Sequence, residues 1–398
     1  MQKSTRILFI LLFLLLIIMI FYISRKLIKN NASASSYNEI SNTTETLTDI
    51  QESKKDITFN LTAIGDIMCH NTQYFDAYNY STDSYDFSYV FSDISNYIQD
   101  SDITVANLET TFAGKDRGYS NYPRFNTPDE LAYDIGKLGV DVVSTSGNHS
   151  LDYGFSGLSR TIDTLNNANI SHVGTYKTQE ERDTILFKEV NGVKIAFLNY
   201  AYGTNGITIP SDKPYCINII DKNLIKNDIE NAKSQGADMI ITSVHWGDEY
   251  SLTPNTSQDE LADFLFQNGV NVILGTHPHV LQKMEKRTIS LEDGSTRDGF
   301  IIYSLGNFIS DQNAKNTRSS IILDLQITKH TDDTLTIDNV SYIPIYMYKN
   351  PSLKSKKMKL LDINKSISSY EQGVDTTIGK STYELLKTEL VTISEILT

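Results

Sequence analysis

The chain has 398 residues, 40% of them hydrophobic, enough for one large or two ordinary domains with a proper core. Lys and Arg total 35 against 49 Asp and Glu, and the net charge of -14 argues against nucleic acid or an anionic membrane surface as a general partner. With only Cys69 and Cys216, a disulfide framework and a cysteine-rich zinc site are excluded, and one disulfide at most is possible.

Ile7 to Ile23, "ILFILLFLLLIIMIFYI", is an unbroken apolar run of 17 residues, near the lower limit for spanning a bilayer. The small residues of "NASAS", Asn31 to Ser35, raise a cleaved signal peptide as the rival, but the run exceeds a usual signal core and favours an uncleaved anchor over residues 1–30. Flanking Lys and Arg are nearly balanced, and long C-terminal domains translocate regardless of local charge. The expectation is a single-pass protein of the cell membrane with its domain on the extracellular side. Residues 31–56, rich in Ser, Thr, Asn and Glu, suit a solvated tether.

From Ile57 onward apolar runs alternate with helical patterns, which predicts an α/β domain over 57–349. The runs are "ITFNLTAIGD", "DITVANLET", "VDVVSTSGNHS", "ADMIITSVHWGD", "VNVILGTHPHV" and "GFIIYSLGNF". Helices are predicted at Pro128–Leu138, Phe155–Asn167, Asp221–Gln235 and Thr256–Gln267. Asn191-Gly192 in "ILFKEVNGVKIAFLNYA" signals a two-residue hairpin, so part of the sheet is antiparallel. Residues 350–398 read as a C-terminal extension, and the basic "LKSKKMK", Leu353 to Lys359, as the start of a solvated helix.

Nearly every strand ends in a polar group, which is where open α/β sheets bind ligands. In chain order these are Asp66, Asn107, Glu109, Asn148, His149, His245, His277, His279 and Asn307. Any one of them is ordinarily a cap or turn former; the repetition points to a site. Two carboxylates, a carboxamide and several imidazoles without cysteine suit zinc, manganese or iron rather than magnesium or calcium. Six or more ligands exceed one tetrahedral zinc and imply two divalent transition-metal ions that activate water, hence hydrolysis of phosphoryl or acyl bonds.

These motifs resemble the bacterial capsule synthesis protein CapA family, also called poly-γ-glutamate capsule proteins, whose members look like divergent calcineurin-type metallophosphoesterases. The matching pieces are "GDIM" (65–68), "VANLET" (105–110), "RFNTP" (124–128), "SGNHSLDYG" (146–154), "HWGDEY" (245–250), "GTHPHV" (275–280) and "YSLGNF" (303–308). The resemblance implies a metallophosphoesterase-like four-layer α/β/β/α sandwich with mixed sheets. It also implies Asp66 and His279 at a first metal, Glu109 bridging, and Asn148, His245 and His277 at a second. His149 would be the general acid, oriented by Asp152, with Arg124, Asn107 and Asn307 as substrate contacts. The pattern departs at Met68, where the wider fold has a histidine ligand, and His70 is a possible substitute. The functions implied are a membrane-anchored hydrolase or transferase acting on an anionic extracellular polymer, a non-catalytic assembly or export factor for that polymer, or a stand-alone metallophosphatase. Trp246 reads as pocket wall and Cys69 as a buried apolar residue.

Overall fold

In the computed structural model, residues 55–291, 294–350, 352–374 and 378–398 are described. The proposed anchor (1–30) and all but the last two residues of the tether lie outside them. Among the described residues no helix is long and apolar enough to cross a membrane.

The strands in chain order are β1 (Ile57–Ile67), β2 (Tyr78–Asn79), β3 (Ser84–Tyr85), β4 (Ile103–Leu108), β5 (Val142–Ser144), β6 (Ser171–Val173), β7 (Leu186–Val190) and β8 (Val193–Ala201). The second half adds β9 (Met239–His245), β10 (Val272–Thr276), β11 (Met284–Ser290), β12 (Thr296–Ile302), β13 (Asn307–Ile309), β14 (Ser319–Lys329), β15 (Leu335–Lys349) and β16 (Met358–Asp362). One sheet runs β16-β15-β14-β1-β4-β5-β6, with β13 also paired to β1; the other runs β11-β12-β10-β9-β8-β7. Strands β1, β4, β5 and β6 are parallel to one another, as are β8, β9, β10 and β12, while the flanking strands are antiparallel.

Alternation along the strands decides the layers. Phe59, Leu61 and Ala63 of β1 and Ile103 and Val105 of β4 share a buried cluster with Ile195 and Phe197 of β8, Ile241 of β9 and Leu274 of β10, so the two sheets pack face to face. The opposite face of the first sheet, with Ile64, Ile67 and Ala106, meets Leu131, Ile135 and Leu138 of the helix Glu130–Leu138. The opposite face of the second, with Ile240, Val244 and Ile273, meets Ile225 and Ile229 of Lys222–Ser234 and Leu261 and Leu265 of Thr256–Asn268. Helices on both outer faces of two stacked sheets make four layers.

The predicted helices fall within two residues of the observed ones, and Asn191 and Gly192 both take positive φ (52° and 89°) in the β7–β8 turn. Two expectations change. Met358–Asp362, where the basic stretch ends, is not part of a helix start but strand β16, paired antiparallel to β15. Residues 350–398 are not an appendage either, because Ile363, Ile378, Leu386, Ile393 and Leu397 join the core between the sheets. Leu386, Leu390, Ile393 and Leu397 recur at helical spacing along Lys380–Leu397, and that face packs against the core. The two cysteines are free and buried, and burial pushes the Cys69 thiol up to about 12, which leaves it protonated and inert.

The carboxyl ends of β1 and β10 are shaped by glycines. A Cβ on Gly275 would lie 1.9 Å from the Tyr303 carbonyl oxygen, and one on Gly65 the same distance from the Gly306 oxygen. Neighbouring backbone crosses these strand ends at a separation only glycine permits. The register of β1 shifts at Gly65–Asp66, a bulge of the kind that re-aims a side chain. Gly275→Ala is expected to destabilise the protein by about 3 kcal/mol, the upper range for overpacking. Gly203→Ala, where a Cβ meets nothing within 4 Å, should be near neutral; urea titrations of the two variants make the comparison.

Candidate metal centre

The parallel strands of both sheets deliver their carboxyl ends to one place. From the first sheet come Asp66 on β1, Glu109 just after β4, and Asn148 and His149 after β5; from the second, His245 ends β9, and His277 and His279 follow β10. All seven are buried. Asp66, Glu109 and His279 each offer a ligand atom within 4.8 Å of the others, and Glu109, His245 and His277 do the same, so Glu109 belongs to both groups.

Hydrogen bonds aim the ligands. Asp66 Oδ1 accepts from Asn107 Nδ2 at 2.9 Å, and its Oδ2 lies 3.1 Å from His279 Nδ1. Asn107 Oδ1 in turn accepts from Ser144 Oγ at 2.9 Å. Asn107, expected to meet substrate, is therefore a buried brace for Asp66 with both amide atoms committed. His245 Nδ1 lies 3.0 Å from Thr276 Oγ1, whose hydroxyl donates to the Val244 carbonyl, so the ring donates at Nδ1. Its Nε2 then turns a lone pair toward Asn148 Oδ1 at 3.1 Å and Glu109 Oε1 at 3.7 Å. Acceptor facing acceptor in a buried space calls for a cation or a proton between them.

Glu109 states the same demand more strongly. Both carboxylate oxygens are buried without a hydrogen-bond partner, and His277 Nδ1 is equally unpartnered. Burial first, then the charge of Asp66, raises the Glu109 carboxyl well above the usual range. Burial holds His277 down to about 3, so its ring is neutral and able to ligate; His245 is lowered well below its ordinary value for the same reason. Orphaned oxygen and nitrogen donors beside neutral imidazoles fit divalent metal ions, and these residues are the ones that would hold them.

His277 and His279 both adopt positive φ, 95° and 60°, and flank Pro278. Non-glycine residues keep such conformations only when surrounding structure enforces them. The Tyr250 amide donates to the Pro278 carbonyl at 2.8 Å and helps pin this turn.

His149 stands apart from the two groups. Its Nδ1 donates to Asp152 Oδ2 at 2.8 Å, which also accepts from the Phe125 amide at 2.7 Å, and its ring packs edge-on against Phe125. Of the remaining candidates, Asn307 is buried beside Asp66 in register, with Nδ2 donating to Gln312 and Thr317 and Oδ1 unpartnered. Arg124 is exposed on the turn before Phe125 and makes no ion pair among the described residues. His70 Nδ1 accepts from the Asp311 amide at 3.2 Å, and His70 joins neither ligand group; Met68 is buried. Trp246 is a wall residue whose indole donates to the Tyr303 carbonyl.

Three residues escaped the sequence reading. Glu249 places a carboxylate oxygen within 4.8 Å of ligand atoms of His277 and His279. Tyr202 lays its ring parallel to His245 and 4.7 Å from His277. Thr276 orients His245. Glu249 had a signal, since it lies in "HWGDEY"; Tyr202 had none, because its role depends on which strand becomes the neighbour of β9.

The chain is similar to known proteins. The profile of the family described as bacterial capsule synthesis protein PGA_cap matches residues 60–312. "Capsule biosynthesis protein CapA" of Bacillus anthracis is 29% identical over 66% of this chain and 62% of its own length. "PGA biosynthesis protein CapA" of Bacillus subtilis (strain 168) is 28% identical over 61% of this chain and 62% of its own. The chain thus spans about three fifths of the length of these relatives. A solved 5'-nucleotidase precursor from Thermus thermophilus aligns with 15% identity over 73% of this chain and 55% of that one, a distant likeness at a TM-score of 0.44.

In the metal-free protein the folded state keeps a Glu109 proton that the unfolded chain releases at about pH 4.3, so stability falls as pH rises above that value. Glu109→Gln should remove this fall and also the stabilisation by added metal. Thermal melts of chelator-treated wild type and variant between about pH 5 and 8, with and without Mn2+, check both: wild type should trail the variant increasingly with pH, and only wild type should gain from the ion.

Proposed function

Because the chain belongs to the bacterial capsule synthesis protein PGA_cap family, we propose that it is a membrane-anchored, extracellular component of capsule biosynthesis with a metal-dependent hydrolase or transferase centre. The observation that carries the metal reading is the buried Glu109 carboxylate, without a hydrogen-bond donor, placed between two groups of imidazoles. Asp66, Glu109 and His279 would hold one ion and Glu109, Asn148, His245 and His277 another, with manganese, zinc or iron suiting the mixed donors. Such ions supply Lewis-acid charge that stabilises a developing oxyanion and activates water.

The residues of the chain do the rest. His149 donates from Nδ1 to Asp152, which fixes the tautomer and leaves Nε2 to take up a proton and pass it to a leaving group. Asp152 is itself anchored by the Phe125 amide, so it stabilises the charged ring without moving. The Tyr202 ring covers His245 and His277 and keeps water from that side. The buried wall of Phe125 does the same beside His149.

The relatives' names point to an extracellular polymer as the object, with poly-γ-glutamate or a related anionic chain the reading that fits. A protein of net charge -14 repels such a polymer at long range. Engagement is therefore local, through the metal ions and the exposed Arg124. The apolar run at residues 7–23 supports the anchor and with it the placement outside the cell membrane.

Turnover of phosphodiester, phosphomonoester and γ-glutamyl amide model substrates by the full chain tests the catalytic part. His149→Ala should lose about 100-fold or more in kcat, and Asp152→Asn less, with its pH optimum displaced because the imidazolium loses its counter-charge. A wild-type chain that binds metal, cleaves none of these, and is matched by His149→Ala in polymer production would sink the catalytic role.

A further inference from the structure

The inner ligands approach the centre from inside the fold. Asp66, Glu109, His245, His277 and His279 are all buried, and four of the five are held by hydrogen bonds or by an enforced backbone. Glu249 is different. Among the described residues it is the one exposed member of the groups able to hold a metal, and it reaches His277 and His279 from the solvent side.

Its backbone is nevertheless fixed. The turn leaving β9 begins with Gly247 at φ 84°, where a Cβ would meet the Gln258 side chain at 2.7 Å. Asp248 accepts from Asn255 Nδ2 at 2.8 Å, and Tyr250, at φ 67°, gives its amide to the Pro278 carbonyl between the two histidines. The turn carrying Glu249 is thus tied to the His277–His279 turn, while the Glu249 side chain projects free of burial. His277, 4% exposed and with Nδ1 unpartnered, is within reach of its carboxylate. A buried imidazole with an uncommitted nitrogen, within reach of an exposed carboxylate on an anchored turn, is an arrangement for ligation.

We propose that Glu249 is an exchangeable outer ligand of the metal centre, bound in the resting protein and displaced by an anionic group of the substrate. The inference rests on the metal reading of the same site. The physical reason for exchange is charge and position. Inner ligands sit behind the centre and cannot leave, so an incoming phosphate or carboxylate has only the solvent side to approach, and there it meets Glu249, whose negative charge opposes it until the side chain swings away. An oxygen of the incoming group would take the place of the one that Glu249 gives up, so the number of oxygen donors offered to the ion would be kept. Long substrates with closely spaced anionic groups benefit most, since one group displaces Glu249 while its neighbours stay near the cations.

The test uses Mn2+ and inorganic phosphate with the full chain, following bound Mn2+ by electron paramagnetic resonance. Without phosphate, Glu249→Ala should weaken one class of Mn2+ site by about tenfold or more relative to wild type, within the range that lost metal-site contacts produce. Saturating phosphate should narrow that difference, because it occupies the vacated position. Glu260→Gln, an equal charge change at an exposed residue outside the groups able to hold a metal, should leave Mn2+ binding as in wild type. Identical Mn2+ binding by wild type and Glu249→Ala overturns the inference and leaves the metal reading intact. A difference that phosphate does not narrow, or one that Glu260→Gln reproduces, overturns exchange. A wild-type chain that binds no Mn2+, Zn2+ or Fe2+ overturns the metal reading and this inference together.

Discussion

The Glu109 carboxylate is taken out of water and given no hydrogen-bond donor in return, an arrangement that costs several kcal/mol in a protein interior unless a proton or cation answers it. Around it the fold commits other groups to fixed directions: Asn107 and Ser144 brace Asp66, Thr276 turns His245, and Asp152 sets His149. None of these contacts helps Glu109 itself. They hold its neighbours in place so that a charge can sit among them.

Two sheets share the work. The buried carboxylates Asp66 and Glu109 and Asn148 come from the first, the three imidazoles of the ligand groups and the exposed Glu249 from the second, and only the apolar layer between the sheets brings them within reach. An ion held by Glu109 and His245 would therefore clamp one sheet to the other. The strained turn at His277–Pro278–His279, with two positive φ angles that each cost of order 1–3 kcal/mol, persists because its flanks are pinned by that same sandwich and by the Tyr250 amide. The C-terminal helix Lys380–Leu397 sends Leu386, Ile393 and Leu397 into the same core, and its Glu389 accepts from Ser319 at the start of β14.

Much of this was legible in the residues. The strands announced themselves by apolar runs, the hairpin by Asn191-Gly192, the helices by their helical patterns between the runs. Strand-end polar residues marked where a ligand site would form. What misled was local chemistry read without its partners. Asn107 looks like a substrate contact until Ser144 and Asp66 claim both ends of its amide. The basic stretch Leu353 to Lys359 read as a helix start where Met358–Asp362 pairs with β15, and Lys359 is accommodated there because β16 is an edge strand. Glu249 passed unnoticed because an exposed glutamate in a turn is usually no more than that.

Period-two alternation, turn chemistry and the types of side chain at strand ends are properties of neighbours in sequence, and the sequence by itself determined them: an α/β domain, a hairpin, and a stock of carboxylates and imidazoles suited to metal. Which of these groups meet was decided by tertiary structure alone. His279 and Asp66 lie 213 residues apart and touch at 3.1 Å only because two sheets pack at one spacing and register. The orphaned state of Glu109 and the solvent-side approach of Glu249 are likewise statements about surroundings that long-range packing creates and that no local pattern encodes.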